Sequence, residues 1–232
     1  MTLYLIPTFL GETESNEVLP QKVTEVINQL DVFVVENLRT ARRHLRRMGY
    51  KGVFDEITML ELNEHSVDSD VTQIMAEAGD RNIGLMSEAG VPGVADPGAN
   101  LVALAHQRGI KVVPLTGPSS ILLALMASGL NGQRFAFNGY LPTDKNERVQ
   151  KIKLYEKRSM NESQTQIFIE TPYRNQALLA DLIATLQPTT RLCVACNLTD
   201  ADEFIATLPA QEWLKKMPEI HKRPAIFLFL SA

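Results

Sequence analysis

Ser87-Glu-Ala-Gly-Val-Pro-Gly-Val-Ala-Asp-Pro-Gly98 is the stretch that decides the fold of this chain. It follows the apolar run Ile83-Gly-Leu-Met86 and precedes a segment with helical periodicity, so a buried strand leads through a loop of small residues into a helix. We place the N-cap of that helix at Asp96 and its first residue at Pro97. In open α/β sheets, ligands bind outside the carboxyl ends of the strands. The stretch therefore predicts a ligand-binding loop in an α/β fold.

Strand-like and helix-like segments alternate on both sides of this loop. In the first half, apolar runs predict strands at 3–6, 32–35, 57–60, 83–86 and 112–114, with helices at 19–30, 39–48, 67–78 and 97–108. This alternation is typical of a largely parallel sheet. Leu115-Thr-Gly-Pro118 breaks the alternation, so we predict an N-terminal α/β domain at 1–115 and a C-terminal α/β domain at 118–232.

The second half restarts the alternation after one unusual helix. Residues 119–128 are apolar nearly all round, which is typical of a helix buried on all sides, and we expect it between the domains or at a subunit interface. Strands are predicted at 134–138, 165–169, 192–195 and 225–230, with helices at 145–156, 175–186 and 209–215. The polar segment 158–166 is expected to form a mobile loop between a helix and a strand.

Composition is that of a globular protein and excludes several classes of function. The 232 residues carry a formal net charge of −4, so the surface as a whole is not built to attract nucleic acid. The first residues have no basic region, and no apolar run is long enough to span a membrane, so we expect a cytoplasmic protein. The only two cysteines, Cys193 and Cys196, lie on opposite faces of a predicted strand, which favours a structural role and no metal site.

Acidic residues recur directly after predicted strands, where carboxylates can bind hydroxyl groups or cations, or act as bases. These residues are Glu36, Glu88 and Glu170. After Glu170, Thr171 suits a helix N-cap, Pro172 suits the first helical position, and Arg174 falls in the first turn. The alternative interpretation of this segment is a well-capped helix with a surface ion pair.

A basic stripe is predicted along one face of the helix at 39–48. Its members are spaced at helical intervals: Arg39, Arg42, Arg43, Arg46 and Arg47. Such a stripe could hold phosphates or another polyanion, or it could be the solvated face of an amphipathic helix. Motifs of three other classes are missing, which disfavours NAD-binding, ATP-binding and hydrolase functions: the loop at 87–98 is not GxGxxG, and no Walker lysine or GxSxG nucleophile elbow is present.

The chain resembles the tetrapyrrole (corrin/porphyrin) methylase family, the class III S-adenosylmethionine-dependent methyltransferases. The resemblance is carried by Ser87–Gly98, by Pro114-Leu-Thr-Gly-Pro-Ser-Ser120, and by Phe168-Ile-Glu-Thr-Pro-Tyr-Arg174, with Asn138-Gly-Tyr-Leu-Pro142 between them. These segments occur in the family's order and span nearly the whole chain. The most similar branch methylates ribose in the RNA of the small ribosomal subunit.

This resemblance implies two α/β domains with S-adenosylmethionine in the cleft between them, and a homodimer. The cofactor-binding residues that it implies are Pro7, Thr8, Ala89, Gly90, Val91, Asp96, Ser119 and Ser120. A ribose hydroxyl must lose a proton during methylation, and Glu170 and Tyr173 are the candidate bases. The candidates for holding an anionic substrate are Arg39, Arg42, Arg43 and Arg174.

Several alternatives stay open at the level of sequence. A tetrapyrrole, a ribosomal RNA or a protein side chain would each fit the resemblance as methyl acceptor. A protein that binds S-adenosylmethionine without catalysis is also compatible, because the loop after the first strand has fewer glycines than its relatives. A nucleotide-dependent oxidoreductase is disfavoured, since the dinucleotide fingerprint is missing.

Overall fold

The computed structural model describes residues 1–63 and 65–231. The chain forms two compact units, 1–119 and 120–232, and each has its own sheet and core. The α/β class predicted from the sequence is confirmed by this architecture.

The first unit contains a five-stranded, fully parallel sheet. Its elements run in the order β1 Thr2–Ile6, α1 Ser15–Val18, α2 Gln21–Ile27, β2 Val32–Val35, α3 Leu38–Arg47, β3 Thr58–Glu61, α4 Asp68–Ala78, β4 Ile83–Met86, α5 Ala99–Gln107 and β5 Lys111–Pro114. The strand order across the sheet is β3-β2-β4-β1-β5. The alternation of apolar runs therefore predicted these strands correctly, as it did their parallel arrangement.

Apolar side chains cover both faces of this sheet. One core joins α2 and α3 to the sheet through Val26, Leu45 and Phe33. The other core joins α4 and α5 to the opposite face through Ile74 and Leu101. A parallel sheet needs such cover on both faces, which explains why its strands read as short continuous apolar runs.

The second unit contains a mixed five-stranded sheet. Its elements are α6 Ser120–Ser128, β6 Phe135–Tyr140, α7 Lys145–Glu162, β7 Thr165–Ile169, α8 Asn175–Thr185, β8 Arg191–Cys196, β9 Phe204–Pro209, α9 Ala210–Lys216 and β10 Ala225–Leu230. The strand order is β6-β7-β10-β8-β9, in which β6 and β7 are parallel and the other neighbours are antiparallel. The edge strand β9 was not predicted from the sequence. It follows the polar turn at 197–203, and all its residues are half-buried, so it lacks the clear alternation of buried and exposed residues that marks a strand.

The prediction for segment 158–166 of the second unit is wrong. Segment 158–166 is no mobile loop, since α7 continues to Glu162 and β7 begins at Thr165. The last turns of α7 have a buried face that carries polar residues, so their burial was not predicted from the sequence. Glu156 accepts hydrogen bonds from the Gln187 amide and the Thr190 hydroxyl. The Ser159 hydroxyl accepts one from the Ser231 amide. These bonds satisfy the buried polar groups, so the helix can pack there.

Helix α6 also differs from its prediction. Ile121, Ala124 and Leu125 are buried, but Leu122 and Met126 are exposed, Met126 by 79%. The helix is thus buried on one face and not on all sides. Cys193 and Cys196 are both buried and unpaired by a disulfide, as the structural interpretation of the cysteine pair requires.

Candidate functional site

The candidate site in the first unit lies at a switch point of the parallel sheet. Strands β1 and β4 are neighbours, and Ile6 pairs in register with Met86 at their carboxyl ends. The chain leaves β1 toward the face covered by α2, and it leaves β4 toward the opposite face covered by α5. Connections that diverge in this way leave a crevice at the strand ends, where α/β proteins bind their ligands.

The loops that follow these two strands are joined directly. The Thr8 amide donates a hydrogen bond of 2.7 Å to the Gly90 carbonyl, and the Thr8 side chain is fully buried. Gly90 has φ of +77°, and a Cβ there would lie 3.2 Å from Cδ2 of Leu10. The close approach of the two loops and the positive φ therefore both favour glycine at this position.

A third segment packs against the same loops. A Cβ at Gly117 would overlap the ring of Pro7, and the Pro118 carbonyl oxygen lies 3.5 Å from the Cβ position of Gly90. The structure thus brings together Pro7, Thr8 and Gly90 from the implied cofactor-binding set. Of the others, Ala89 is exposed and Val91 and Asp96 are half-buried. Ser119 ends the first unit and Ser120 begins α6, and both are half-buried.

Asp96 does not cap a helix as predicted. Helix α5 begins at Ala99, and its N-cap is Gly98, with φ of +126° and no side-chain cap. A Cβ at Gly98 would lie 2.7 Å from Cδ2 of Leu85, so the chain turns into α5 through a residue that only glycine suits. Asp96 is left two residues upstream of the N-cap, and Pro97 is not helical.

Asp96 instead belongs to an acidic cluster at the ends of β2 and β4. Burial raises the pKa of Asp96 to about 6, and the charges of Glu36 and Glu88 add to the increase, while a hydrogen bond from Ser87 opposes it. Carboxylates gathered at one place create a site of negative potential, which favours a cationic ligand.

His44 holds the loop after β4 from the side of α3. Its Nε2 lies 3.0 Å from the Glu88 carbonyl oxygen, to which it can only donate. Burial lowers the pKa of His44, so the ring is neutral at neutral pH. Sequence reasoning missed this residue, although its position beside Ala41 and Leu45, on the buried face of the helix, was a usable signal.

The basic stripe of α3 divides into two groups. Arg47 donates to the carbonyls of Gly11 and Thr13 at 3.1 and 2.8 Å, and Arg46 donates to the Tyr50 carbonyl at 2.7 Å. These two residues hold loops of the first unit. The other three members, Arg39, Arg42 and Arg43, are exposed, and none forms an ion pair with an acidic residue in the described ranges. Three cationic side chains thus remain available on one face of the helix.

In the second unit, the strand-end segment after β7 forms a buried ion pair. The Glu170 side chain is 2% exposed, and its Oε1 accepts hydrogen bonds of 2.6 Å from Nη2 of Arg174 and from the Thr171 amide. The Glu170 carboxylate is therefore buried, unlike the surface ion pair considered from the sequence. Tyr173 is 71% exposed, and its ring lies against His221 at 6.4 Å between centroids.

The predicted cap of this helix is wrong. Helix α8 begins at Asn175 with Arg174 as its N-cap, so neither Thr171 nor Pro172 has its predicted helical role. Residues 171–174 form a turn in which the Arg174 amide donates to the Thr171 carbonyl at 2.9 Å. The Glu170 carboxylate binds the Thr171 amide, and this bond favours the turn over an earlier start of the helix.

A cavity of about 460 Å³ lies at the carboxyl ends of the parallel strands β6 and β7. Residues of the β6–α7 loop, α7 and the N-cap of α8 line it: Tyr140, Leu141, Pro142, Thr143, Lys151, Tyr155 and Arg174. Its volume is within the range of about 300–1,000 Å³ that small-ligand sites occupy.

Residues 1–63 and 65–231 contain neither a metal-binding cluster nor a membrane-spanning helix. This part of the chain holds no group of three or more His, Cys, Asp or Glu side chains arranged to bind a metal ion. None of the helices described has the length and apolar character needed to cross a lipid bilayer.

Comparisons with known proteins agree with this geometry. The sequence profile of the Tetrapyrrole (Corrin/Porphyrin) Methylases matches residues 2–213. A protein from Escherichia coli O157:H7 named ribosomal RNA small subunit methyltransferase I is 31% identical over 222 residues, which cover 95% of this chain and 73% of the relative. Proteins of the same name from Vibrio cholerae and Synechocystis sp. are 31% and 32% identical, over 95% and 87% of this chain and over 73% and 68% of their own lengths.

A solved structure shows the same fold. The crystal structure of the methyltransferase CobJ superimposes with a TM-score of 0.62, at 16% identity, over 100% of this chain and 93% of that chain.

Proposed function

Because the chain belongs to the tetrapyrrole (corrin/porphyrin) methylase family and is a methyltransferase, we propose that it transfers a methyl group from S-adenosylmethionine to a ribose hydroxyl in the RNA of the small ribosomal subunit. The observation that carries the donor is the joined pair of loops at Thr8 and Gly90, with the acidic cluster beside them. The names of the relatives at about 30% identity support the acceptor.

The first unit fits the donor in charge and in shape. S-adenosylmethionine carries a sulfonium cation, and the cluster of Glu36, Glu88 and Asp96 supplies negative charge at the strand ends. A Cβ at Gly90 or Gly117 would meet Leu10 or Pro7, so glycine lets these loops pack closely and brings their backbone groups together at the strand ends. We propose that the donor is held by Pro7, Thr8, Ala89, Gly90, Val91, Asp96, Ser119 and Ser120.

When bound, S-adenosylmethionine supplies an electrophilic methyl group. The protein's own contribution is then to position the acceptor oxygen in line with that methyl group and to accept the proton that the oxygen loses. We propose Glu170 and Tyr173 for proton transfer. One oxygen of Glu170 is already held by Arg174 and the Thr171 amide, which fixes the carboxylate in a single orientation.

The acceptor side of the proposal rests on positive charge. RNA is a polyanion, and arginine binds phosphate through paired hydrogen bonds. We propose that Arg39, Arg42 and Arg43 bind phosphates of the RNA, because their charges are exposed and not neutralised by described acidic residues. Arg174 has the same proposed role in the second unit. The proposal also includes a homodimer and a cytoplasmic location, where ribosomes are assembled.

A labelled-methyl transfer screen tests the acceptor. The protein is incubated with S-adenosylmethionine carrying a labelled methyl group and with an extract from cells that lack it, and RNA, protein and pigment fractions are then separated. Label in the small-subunit RNA supports the proposal. Label confined to protein or to a tetrapyrrole pigment would show that the acceptor is not RNA. Absence of label from every fraction would favour a protein that binds S-adenosylmethionine without catalysis.

A further inference from the structure

The cavity at the ends of β6 and β7 has the composition of a nucleotide site. Arg174 and Lys151 bring positive charge, Tyr140 and Tyr155 bring aromatic rings, and none of the described residues that line the cavity is acidic. We infer that this cavity holds one nucleotide of a single-stranded RNA acceptor, with its phosphate on the two cations and its base against the Tyr140 ring. This inference rests on the proposed RNA acceptor.

The two cations differ in how far the protein neutralises them. Lys151 is exposed and has no ion-pair partner among the residues that the structure describes. Arg174 is paired with Glu170 through Nη2, while its Nε is buried and has no described acceptor. A phosphate in the cavity would meet the positive charge of Lys151 and the exposed part of the Arg174 guanidinium, whose side chain is 36% exposed.

The aromatic residues are suited to a base and not only to general packing. The Tyr140 side chain is 58% exposed at the end of β6, so a face of its ring is accessible to a ligand. The Tyr155 ring is fixed by an edge-on contact with Phe168, at 5.3 Å between centroids. Bases of single-stranded nucleic acids stack on exposed aromatic rings of this kind with little dependence on sequence.

The wall of the cavity is held rigid by Arg148. Its Nη1 donates to the carbonyls of Pro142 and Thr143 at 2.9 and 2.8 Å, and its Nε and Nη2 donate to Oδ2 of Asp181 at 2.8 and 2.6 Å. The loop after Tyr140 is therefore tied to both α7 and α8. A preformed wall reduces the ordering cost of binding, which favours a ligand site over an incidental gap.

The test measures the affinity of the full chain for a short, fluorescently labelled single-stranded oligoribonucleotide across a range of salt concentrations. Lys151→Gln should weaken binding and reduce the slope of log affinity against log salt by about 0.7, the value for one phosphate contact on a single strand. Tyr140→Leu should weaken binding by about tenfold and leave the salt slope unchanged, since stacking is not ionic.

Matched variants control for general effects. Lys153→Gln removes an exposed lysine two residues along α7, which is about 200° around the helix from Lys151 and outside the cavity. Tyr140→Phe keeps the ring and should bind RNA as the unchanged chain does. With inorganic polyphosphate as the probe, which has no bases, Lys151→Gln should still reduce affinity, whereas Tyr140→Leu should not.

Calorimetric titration with S-adenosylhomocysteine separates failure of this inference from failure of the proposed function. If the variants keep that affinity and bind RNA as tightly as the unchanged chain, the nucleotide site is wrong and the RNA acceptor stands. If the unchanged chain binds S-adenosylhomocysteine but no RNA, the acceptor proposal is wrong and the inference falls with it.

Discussion

The Thr8 amide donates a hydrogen bond of 2.7 Å to the Gly90 carbonyl, and this bond joins the loops that follow two neighbouring parallel strands. The two residues are 82 positions apart in the chain. Their contact fixes the loops at the switch point of the sheet, where a ligand can approach the backbone. The account of donor binding depends on this relationship, and the first prediction tests it.

Gly90→Ala is expected to weaken the binding of S-adenosylhomocysteine by about tenfold or more, because an alanine at a φ of +77° is strained and its Cβ would press on Leu10. The loop must shift to relieve this strain, which disturbs its bond to Thr8. Calorimetric titration measures the affinity. Gly109→Ala is the control, since Gly109 also has a positive φ, of +67°, but a Cβ there meets nothing within 4 Å. Equal affinities for both variants would contradict the prediction.

Asp96→Asn is expected to stabilise the protein near neutral pH by an amount on the order of 2 kcal/mol, and to have no such effect below pH 3.8. The pKa of Asp96 is about 6 in the folded protein against its ordinary value of 3.8, so the folded state binds the proton more tightly. Stability therefore falls as pH rises between those values, and the asparagine variant escapes this loss. Urea unfolding at several pH values measures the difference.

The control for this prediction is Asp80→Asn, which replaces an exposed aspartate in the same unit.

The titration of Asp96 should also change the affinity for the ligand. Protonation of Asp96 removes negative charge from the cluster, so the affinity for the cationic S-adenosylmethionine should fall as pH decreases through about 6. The affinity for the neutral thioether of S-adenosylhomocysteine should fall less. Identical pH profiles for the two ligands would show that the cluster does not bind the sulfonium.

Replacement of Arg39, Arg42 and Arg43 by glutamine is expected to weaken RNA binding at low salt and to reduce the salt slope by up to about 2, if each residue contacts a phosphate. The fold should be retained, because loops are held by Arg46 and Arg47 instead. Binding of a labelled RNA across a salt series measures the effect. A double variant, Lys215→Gln with Lys216→Gln, removes exposed charges elsewhere as a control. An unchanged salt slope in the triple variant would show that these arginines form a solvated helix face and do not contact phosphates.

Glu170→Gln is expected to slow methyl transfer by about a hundredfold or more while leaving the affinity for S-adenosylhomocysteine unchanged. Glutamine keeps an oxygen that can accept from the Thr171 amide and from Arg174, so the turn should persist. Single-turnover transfer of a labelled methyl group measures the rate, and Tyr173→Phe shows whether the phenol contributes. A Glu170→Gln rate within about twofold of the unchanged chain would remove Glu170 from proton transfer.

Much of the first unit was predictable from the sequence, because each buried parallel strand is a short apolar run between helical segments. The loop at 87–98 was identified because several small residues follow such a strand. The start of α5 was not predictable in the same way. Asp96 is a common N-cap residue type, but the helix begins after Gly98. The chain turns there with φ of +126° and passes close to the Leu85 side chain, which favours glycine.

The remaining errors have a common physical origin in tertiary contacts. Glu156 and Ser159 read as exposed because they are polar, yet bonds to distant residues satisfy them in a buried face of α7. Thr171 has the residue type of an N-cap, but its amide donates a hydrogen bond to the Glu170 carboxylate. His44 lies in a helix rich in basic residues, and its hydrogen bond to the distant Glu88 carbonyl could not be predicted from the sequence.

Methyl transfer to a ribose of the small-subunit RNA can be measured on the intact acceptor. Small ribosomal subunits from cells lacking this protein are incubated with it and S-adenosylmethionine, and the RNA is digested to nucleosides for mass spectrometry. The account predicts one additional nucleoside methylated on the ribose, which the Gly90→Ala variant forms at a reduced rate. A methyl group on a base, or no new methylated nucleoside with a protein that binds S-adenosylhomocysteine, would contradict it.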